Sequence, residues 1–199
     1  WDVASQHVAA LDFLKGCWGY DAGKPLSMLV LALVYGLFGA NPLFEIVILV
    51  LAAGLSSGCL FILAQTAFPS RNWAWATAFW FLSWPTTLYY TRIHLGYGLF
   101  LFLVGLTAAT RGRNVLSGIL LALGILAHPG LAMPTLVWMA ATTAFWEDQR
   151  LKRGLESMTG FAFTLLFLEA IRFGYTGEPF GWLQGQITDV SAYNSIGGD

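Results

Sequence analysis

The sequence predicts an all-α protein, a polytopic transmembrane helical bundle with an external juxtamembrane helix. Of its 199 residues, 57% are hydrophobic and only 11% are charged, whereas soluble globular domains carry about 25% charged residues. The apolar residues also lie in long runs, and in lipid a helix pairs its own backbone polar groups. We therefore expect a multi-pass integral membrane protein with the lipid bilayer as a partner.

The apolar runs after residue 42 define the expected helices, since a membrane crossing needs about 20 residues. One run is too long for a single crossing and is interrupted by His128-Pro129-Gly130, where proline removes a backbone donor. We expect it to form two short helices, Val115–Ala127 and Leu131–Phe145, joined by a tight turn. The runs are Leu43–Phe68, Trp73–Tyr90, Leu95–Thr110, Val115–Phe145 and Met158–Tyr175.

The basic residues orient these runs, because cytoplasmic loops carry an excess of lysine and arginine. Two crossings by Val115–Phe145 place both of its basic flanks in the cytoplasm, and a single crossing does not. We predict one membrane domain, in which residues 1–42 form an external loop and the juxtamembrane helix, residues 43–175 the transmembrane helices, and residues 176–199 an external loop. The basic residues assigned to the cytoplasmic side are Arg71, Arg111, Arg113, Arg150, Lys152 and Arg153.

Pro25–Phe38 is a shorter apolar run, and proline is a normal first residue of a helix. As a helix it spans about 21 Å, less than the hydrocarbon thickness of about 30 Å. We interpret it as a juxtamembrane or half-buried helix that holds Lys24, and the acidic residues before it, near the outer membrane surface. The alternative is a solvated segment whose charges only mark the interface.

Several segments follow the order found in a known family. Tyr20-Asp21-Ala22-Gly23-Lys24-Pro25-Leu26 leads into an apolar helix that closes in Leu37-Phe38-Gly39. The glycine-punctuated stretch from Gly118 to Gly130 and the segment Gly177-Glu178-Pro179-Phe180 follow later in the chain. In this order the chain resembles the GT-C superfamily of polyprenyl-phosphate-sugar-dependent glycosyltransferases, in particular the branch with protein O-mannosyltransferases and lipid A aminoarabinose transferases.

The resemblance implies a chemistry at the outer face of a cell inner or plasma membrane. Asp2 would be the general base that takes a proton from the acceptor, and Lys24 would contact the phosphate of the donor. The donor would be a polyprenyl-phosphate sugar, used as a co-substrate, and the anomeric carbon would invert. No cofactor is predicted, and a metal requirement is neither implied nor excluded by the residues. The donor sugar and the acceptor are not implied by any residue.

The chain departs from the family pattern in its next external loop. Many members carry an acidic residue there, whereas Thr91–Gly96 offers Arg92 and His94. These two residues are candidates for binding a phosphate or an acceptor, and a structural pair at the interface is the alternative. Many members also carry lysine in place of His128, which we interpret as a turn residue. The chain begins at Trp1 without a preceding helix, and we expect a fragment.

Glu169 and Arg172 lie three residues apart within Met158–Tyr175, so they share one helical face. Ionisable residues inside a membrane span are candidates for function. Arg172 is therefore a second candidate for phosphate binding, and a self-neutralised ion pair is the alternative.

Other functional classes find little support in the composition. The net charge of −1 gives no electrostatic footprint for nucleic acid, and Cys17 and Cys59 form neither a disulfide framework nor a metal site. The sequence shows no metal-ligand cluster and no glycine-rich phosphate loop. A transporter, with Glu169 and Arg172 lining its pathway, or a catalytically silent membrane subunit remain the competing hypotheses.

Overall fold

The computed structural model describes residues 2–18, 24–83, 95–145 and 150–179, and every regular element in these ranges is helical. The all-α prediction is confirmed for this part of the chain. A short 3-10 helix, Pro129–Leu131, lies between α6 and α7. The α-helices are α1 (Asp2–Leu14), α2 (Pro25–Phe38), α3 (Leu43–Ala67), α4 (Arg71–Ser83), α5 (Leu95–Thr110), α6 (Asn114–Ala127), α7 (Ala132–Phe145) and α8 (Arg150–Thr176).

Two of the sequence-based boundaries need correction. Residues 2–14 form α1 rather than an external loop. The last helix begins at Arg150, not at Met158, because an exposed and polar first part continues the helix beyond the apolar run. The end of the predicted Trp73–Tyr90 run and most of the predicted loop 176–199 lie outside the described residues.

Two helices are long and apolar enough to cross a membrane, α3 and the Leu151–Thr176 part of α8. In the most apolar stretch of each, only 22% and 17% of the residues are buried. On α3 the exposed side chains include Ile46, Val50 and Leu55. An exposed apolar face of this kind marks a surface that meets another molecule or a lipid phase.

Helix α6 is the central helix, and glycines bring its neighbours into backbone contact. A Cβ added to Gly118 would overlap the Ser157 carbonyl of α8, and a Cβ added to Gly160 would overlap the Val115 carbonyl of α6. On the other side, a Cβ on Gly98 of α5 would come within 3.0 Å of the Gly124 carbonyl oxygen. Small residues at helix interfaces permit this close approach in membrane proteins.

The helices from α3 onwards run back and forth between two ends of the bundle. At one end, Tyr97 and Ala127 pack with Leu49 in a buried cluster. We name this the lysine end, because Lys24 lies two residues before Leu26, whose side chain packs against the same cluster. At the other end, which we name the arginine end, the last turns of α5 and α7 meet the first turns of α6 and α8 near Arg111, Arg113 and Arg153.

Helices α1 and α2 form a pair at the lysine end. Ala10 packs against Leu31, Ala32 and Tyr35 in a second buried cluster. The ring of Phe13 lies 5.2 Å from that of Tyr175, so α1 also reaches the end of α8. The α1–α2 pair therefore covers part of the lysine end.

Candidate functional site

Lys24 lies where the first turn of α2 meets the last turn of α6. Pro25 takes the first helical position, where its missing N–H needs no partner. The Ser27 amide donates to the Lys24 carbonyl over 3.2 Å, and the Ser27 hydroxyl donates to the Ala127 carbonyl over 3.4 Å. This contact across 100 positions of the chain brings Lys24 to the neighbourhood of His128.

His128 ends α6 and starts the turn into α7. Its Nδ1 accepts a hydrogen bond from the Gly130 amide over 3.1 Å, and the chain then passes through the 3-10 helix Pro129–Leu131. The interpretation of His128 as a turn residue is confirmed. In the neutral ring the accepting Nδ1 leaves the proton on Nε2.

A group of polar side chains at the lysine end was not singled out from the sequence. His7 Nδ1 and the Tyr35 hydroxyl share a hydrogen bond of 2.8 Å, and their rings meet edge to face. Tyr35 is buried, which raises the pKa of its hydroxyl, and the carboxylate of Glu45 raises that pKa further. This hydrogen bond connects α1 to α2, and it gives each of the two polar side chains a partner.

Glu45 is the buried carboxylate of this group. It is only 3% exposed, and its Oε1 has no hydrogen-bond partner among the described residues. The hydroxyl of Tyr97 is likewise buried and unpaired, and Glu45 acts electrostatically on both Tyr35 and Tyr97. The signal was present in the sequence, since Glu45 is an ionisable residue in the first turn of an apolar run.

Within the described residues, the structure does not bring the site residues predicted from the resemblance together in one site. Asp2 is the first residue of α1, and its side chain lies outside the described part. Helix α1 packs on the second half of α2, around Tyr35, which lies about 16 Å along the helix axis from Lys24. Arg92 and His94 both fall in the range 84–94, outside the described residues.

Arg172 is buried and already engaged. Its Nη2 lies 3.3 Å from Glu169 Oε1, and the same group donates to the Glu178 carbonyl. The side chains of Arg172 and Glu169 are 6% and 12% exposed. This is the self-neutralised pair that the sequence left open as the alternative, and a phosphate would have to compete with Glu169 for the guanidinium group.

In the described ranges, no group of three or more His, Cys, Asp or Glu side chains is arranged so that it could bind a metal ion. No protein-family model, curated protein or solved structure matches this chain. The fold itself defines the class: an all-helical protein with two helices long and apolar enough to cross a membrane.

Proposed function

We propose that this chain is the membrane part of a GT-C-type glycosyltransferase, which moves a sugar from a polyprenyl-phosphate donor to an acceptor at the outer membrane face. The observation that supports it most directly is the α1–α2 pair. Two helices that precede the first long apolar helix pack together at the lysine end, and Lys24 immediately precedes the first residue of one of them. A lysine at the membrane edge is suited to a donor phosphate that arrives from the lipid phase.

The proposed orientation in the membrane follows from the end of the bundle at which the basic residues lie. Arg111, Arg113 and Arg153 share the arginine end, so the positive-inside rule assigns that end to the cytoplasm. The lysine end then faces outwards. In this arrangement α3 to α8 are the membrane helices of a multi-pass protein, and the short helices cross with the support of their neighbours.

The proposed reaction is a single displacement with inversion. A carboxylate removes the proton from the acceptor, and the acceptor atom forms a bond to the anomeric carbon. The bond from that carbon to the phosphate oxygen breaks, and the polyprenyl phosphate leaves with the electron pair. Lys24 would stabilise the charge on the leaving phosphate, and Asp2 would be the base, as the resemblance implies.

Glu45 is a second candidate for the base, and this candidate comes from the contacts of the described residues. It is buried in the first turn of α3, and Leu49, one turn further along, packs with Tyr97 in the cluster that Leu26 contacts, close to Lys24 in the chain. The base and the phosphate contact must lie on opposite sides of one sugar ring. Glu45 lies one turn before Leu49 on α3, and Leu49 packs in the cluster that Leu26 contacts, so Glu45 is a candidate on the side of the bundle where Lys24 lies.

Binding of the donor tests the proposed phosphate contact. Full-length protein in lipid nanodiscs is titrated with a panel of polyprenyl-phosphate hexoses and pentoses, comparing wild type with Lys24→Ala. Loss of a charge-assisted contact should weaken binding about tenfold. Lys15→Ala is the matched control, because Lys15 makes the same charge change from an exposed position beside Asp12 at 3.7 Å. Equal binding by wild type and Lys24→Ala would contradict the assignment of Lys24.

Transfer assays then separate the two carboxylates. Asp2→Asn or Glu45→Gln should abolish transfer while donor binding persists, and whichever does so is the base. Asp12→Asn, on α1 and exposed beside Lys15, serves as the control. If both variants retain wild-type transfer, neither carboxylate is the base and the proposed mechanism is wrong.

Transport is the competing function, and the buried Glu169–Arg172 pair within α8 favours it, because ionisable pairs inside a span often line a pathway. Solute flux into liposomes that depends on Glu169, together with no donor binding by the folded protein, would replace the transferase proposal.

A further inference from the structure

A cavity of about 270 Å³ with a mixed polar and apolar lining lies at the arginine end, on the opposite side of the bundle from Lys24. It is formed where the first turns of α6 and α8 face the last turns of α5 and α7. This volume is at the lower limit of ligand pockets, which hold about 300–1,000 Å³. The side chains that matter for its chemistry are Asn114, Ser117, Trp138, Thr142, Arg153 and Ser157.

Ser117 is the group in this cavity that requires a partner. It is 1% exposed, and its hydroxyl has no hydrogen-bond partner among the described residues. A buried hydroxyl without a hydrogen-bond partner destabilises the folded protein, because it has lost its hydrogen bonds to water. Because Ser117 lines the cavity, a bound acceptor group there would remove this cost.

The start of α6 adds a second feature that favours an anion. Arg113 occupies the N-cap position and makes no side-chain capping hydrogen bond, so the first amides of α6 are not capped. Uncapped amides and the helix dipole together attract negative charge. Asn114 and Ser117 both lie in the first turn of α6 or just after it, close to these amides, and both line the cavity.

The fixed charges around the cavity are mainly basic. Arg153 lines it, is exposed, and takes part in none of the ion pairs found among the described residues. Glu156 accepts from Asn114 over 2.9 Å and lies 4.0 Å from Lys152, so its charge is partly offset. Glu147 and Asp148 fall outside the described residues.

We propose that this cavity binds the phosphate of an anionic phospholipid headgroup. Basic pockets between membrane helices on the cytoplasmic side are suited to such headgroups. Leu116 and Leu155, which are 41% and 54% exposed, lie within two residues of the cavity-lining Ser117 and Ser157 in the chain and offer a surface for the acyl chains. Arg153 and the start of α6 hold the phosphate oxygens, and Ser117 donates its hydroxyl to one of them.

The test uses delipidated full-length protein and two variants that act in different ways. Thermal unfolding is measured while phosphatidylglycerol is added to phosphatidylcholine vesicles. Phosphatidylglycerol should raise the melting temperature of wild type. Arg153→Gln should need about fivefold more phosphatidylglycerol to reach half of its maximal rise in melting temperature, because one basic residue near the membrane contributes about 1 kcal/mol to lipid binding. Arg111→Gln is the matched control, because Arg111 lies at the same end but does not line the cavity.

Ser117→Ala keeps every charge and removes only the unpaired hydroxyl. Without phosphatidylglycerol it should unfold at the wild-type temperature or above it, and with phosphatidylglycerol it should gain less than wild type. The proposal is overturned if Arg153→Gln and Ser117→Ala both respond as wild type does, or if Arg111→Gln loses as much as Arg153→Gln. Equal protection by soluble glycerol phosphate would assign the cavity to a free phosphate instead of a lipid.

Discussion

Replacement of Gly160 by alanine should separate the two helices at the centre of the bundle. The added methyl group would overlap the carbonyl oxygen of Val115 and lie 3.0 Å from its carbonyl carbon and 3.2 Å from the Ile119 amide nitrogen. Ordinary contacts between carbon atoms are about 3.5–4.0 Å. All three atoms belong to the backbone of α6, so no side-chain rotation can relieve the overlap.

The magnitude follows from two opposing effects. Overpacking costs about 1–3 kcal/mol, and a clash with backbone belongs at the upper limit. Alanine regains about 1 kcal/mol of helix propensity relative to glycine. We therefore expect Gly160→Ala to lower the free energy of unfolding by about 2 kcal/mol.

Gly174→Ala is the matched control, because Gly174 lies on the same helix and a Cβ there would meet nothing within 4 Å. This variant should be as stable as wild type or up to about 1 kcal/mol more stable. Unfolding is followed by tryptophan fluorescence in mixed micelles titrated with sodium dodecyl sulfate. If Gly160→Ala is as stable as Gly174→Ala, the close contact of α6 with α8 does not exist as described.

Three further variants test the lysine end and the buried ion pair by the same unfolding assay. Tyr35→Phe should cost about 1 kcal/mol, because it removes the hydrogen bond to His7. Glu45→Gln should stabilise the protein by about 1 kcal/mol at neutral pH, because it removes a buried charge whose Oε1 is unpaired. Arg172→Leu should cost about 3–5 kcal/mol by leaving Glu169 buried and unpaired, and a second change, Glu169→Leu, should restore most of the loss.

A control for these variants lies on α4, away from the lysine end and from the buried ion pair. Thr77 is half-buried and donates its hydroxyl to the Trp73 carbonyl of its own helix, so Thr77→Ala should stay within about 0.5 kcal/mol of wild type. A Glu45→Gln protein that is clearly less stable than wild type would mean that the carboxylate has a partner. Additive losses in Arg172→Leu and Glu169→Leu would contradict their direct pairing.

The apolar pattern was sufficient to predict most helices. Leu95–Thr110 was predicted with the observed limits, and Leu43–Phe68 differs from α3 by one residue. The break at His128-Pro129-Gly130 was also found, since proline and glycine interrupt a helix for local reasons. These features depend on residues that are neighbours in the chain, and a single sequence contains them.

The apolar pattern could not predict the first part of α8, where the helix extends into polar sequence. Lys152 and Glu156 lie at i,i+4 spacing, a pattern that supports a helix outside the membrane, but they precede the apolar run. The candidate site was harder still to predict. The hydrogen bond from Ser27 to Ala127 and the packing of Leu49 against Tyr97 join distant segments, and no periodicity in one sequence encodes such pairs.

The dependence of α6 on its neighbours has a consequence for how the protein is made. Its 14 residues rise about 21 Å, so as an isolated segment it is too short to partition stably into a bilayer. Its close partner α8 is synthesised only after all of α7 has left the ribosome. The close contact of α6 with α8 can therefore form only after α7 and the first part of α8 have been synthesised, so α6 reaches its final packing late in the synthesis of this chain.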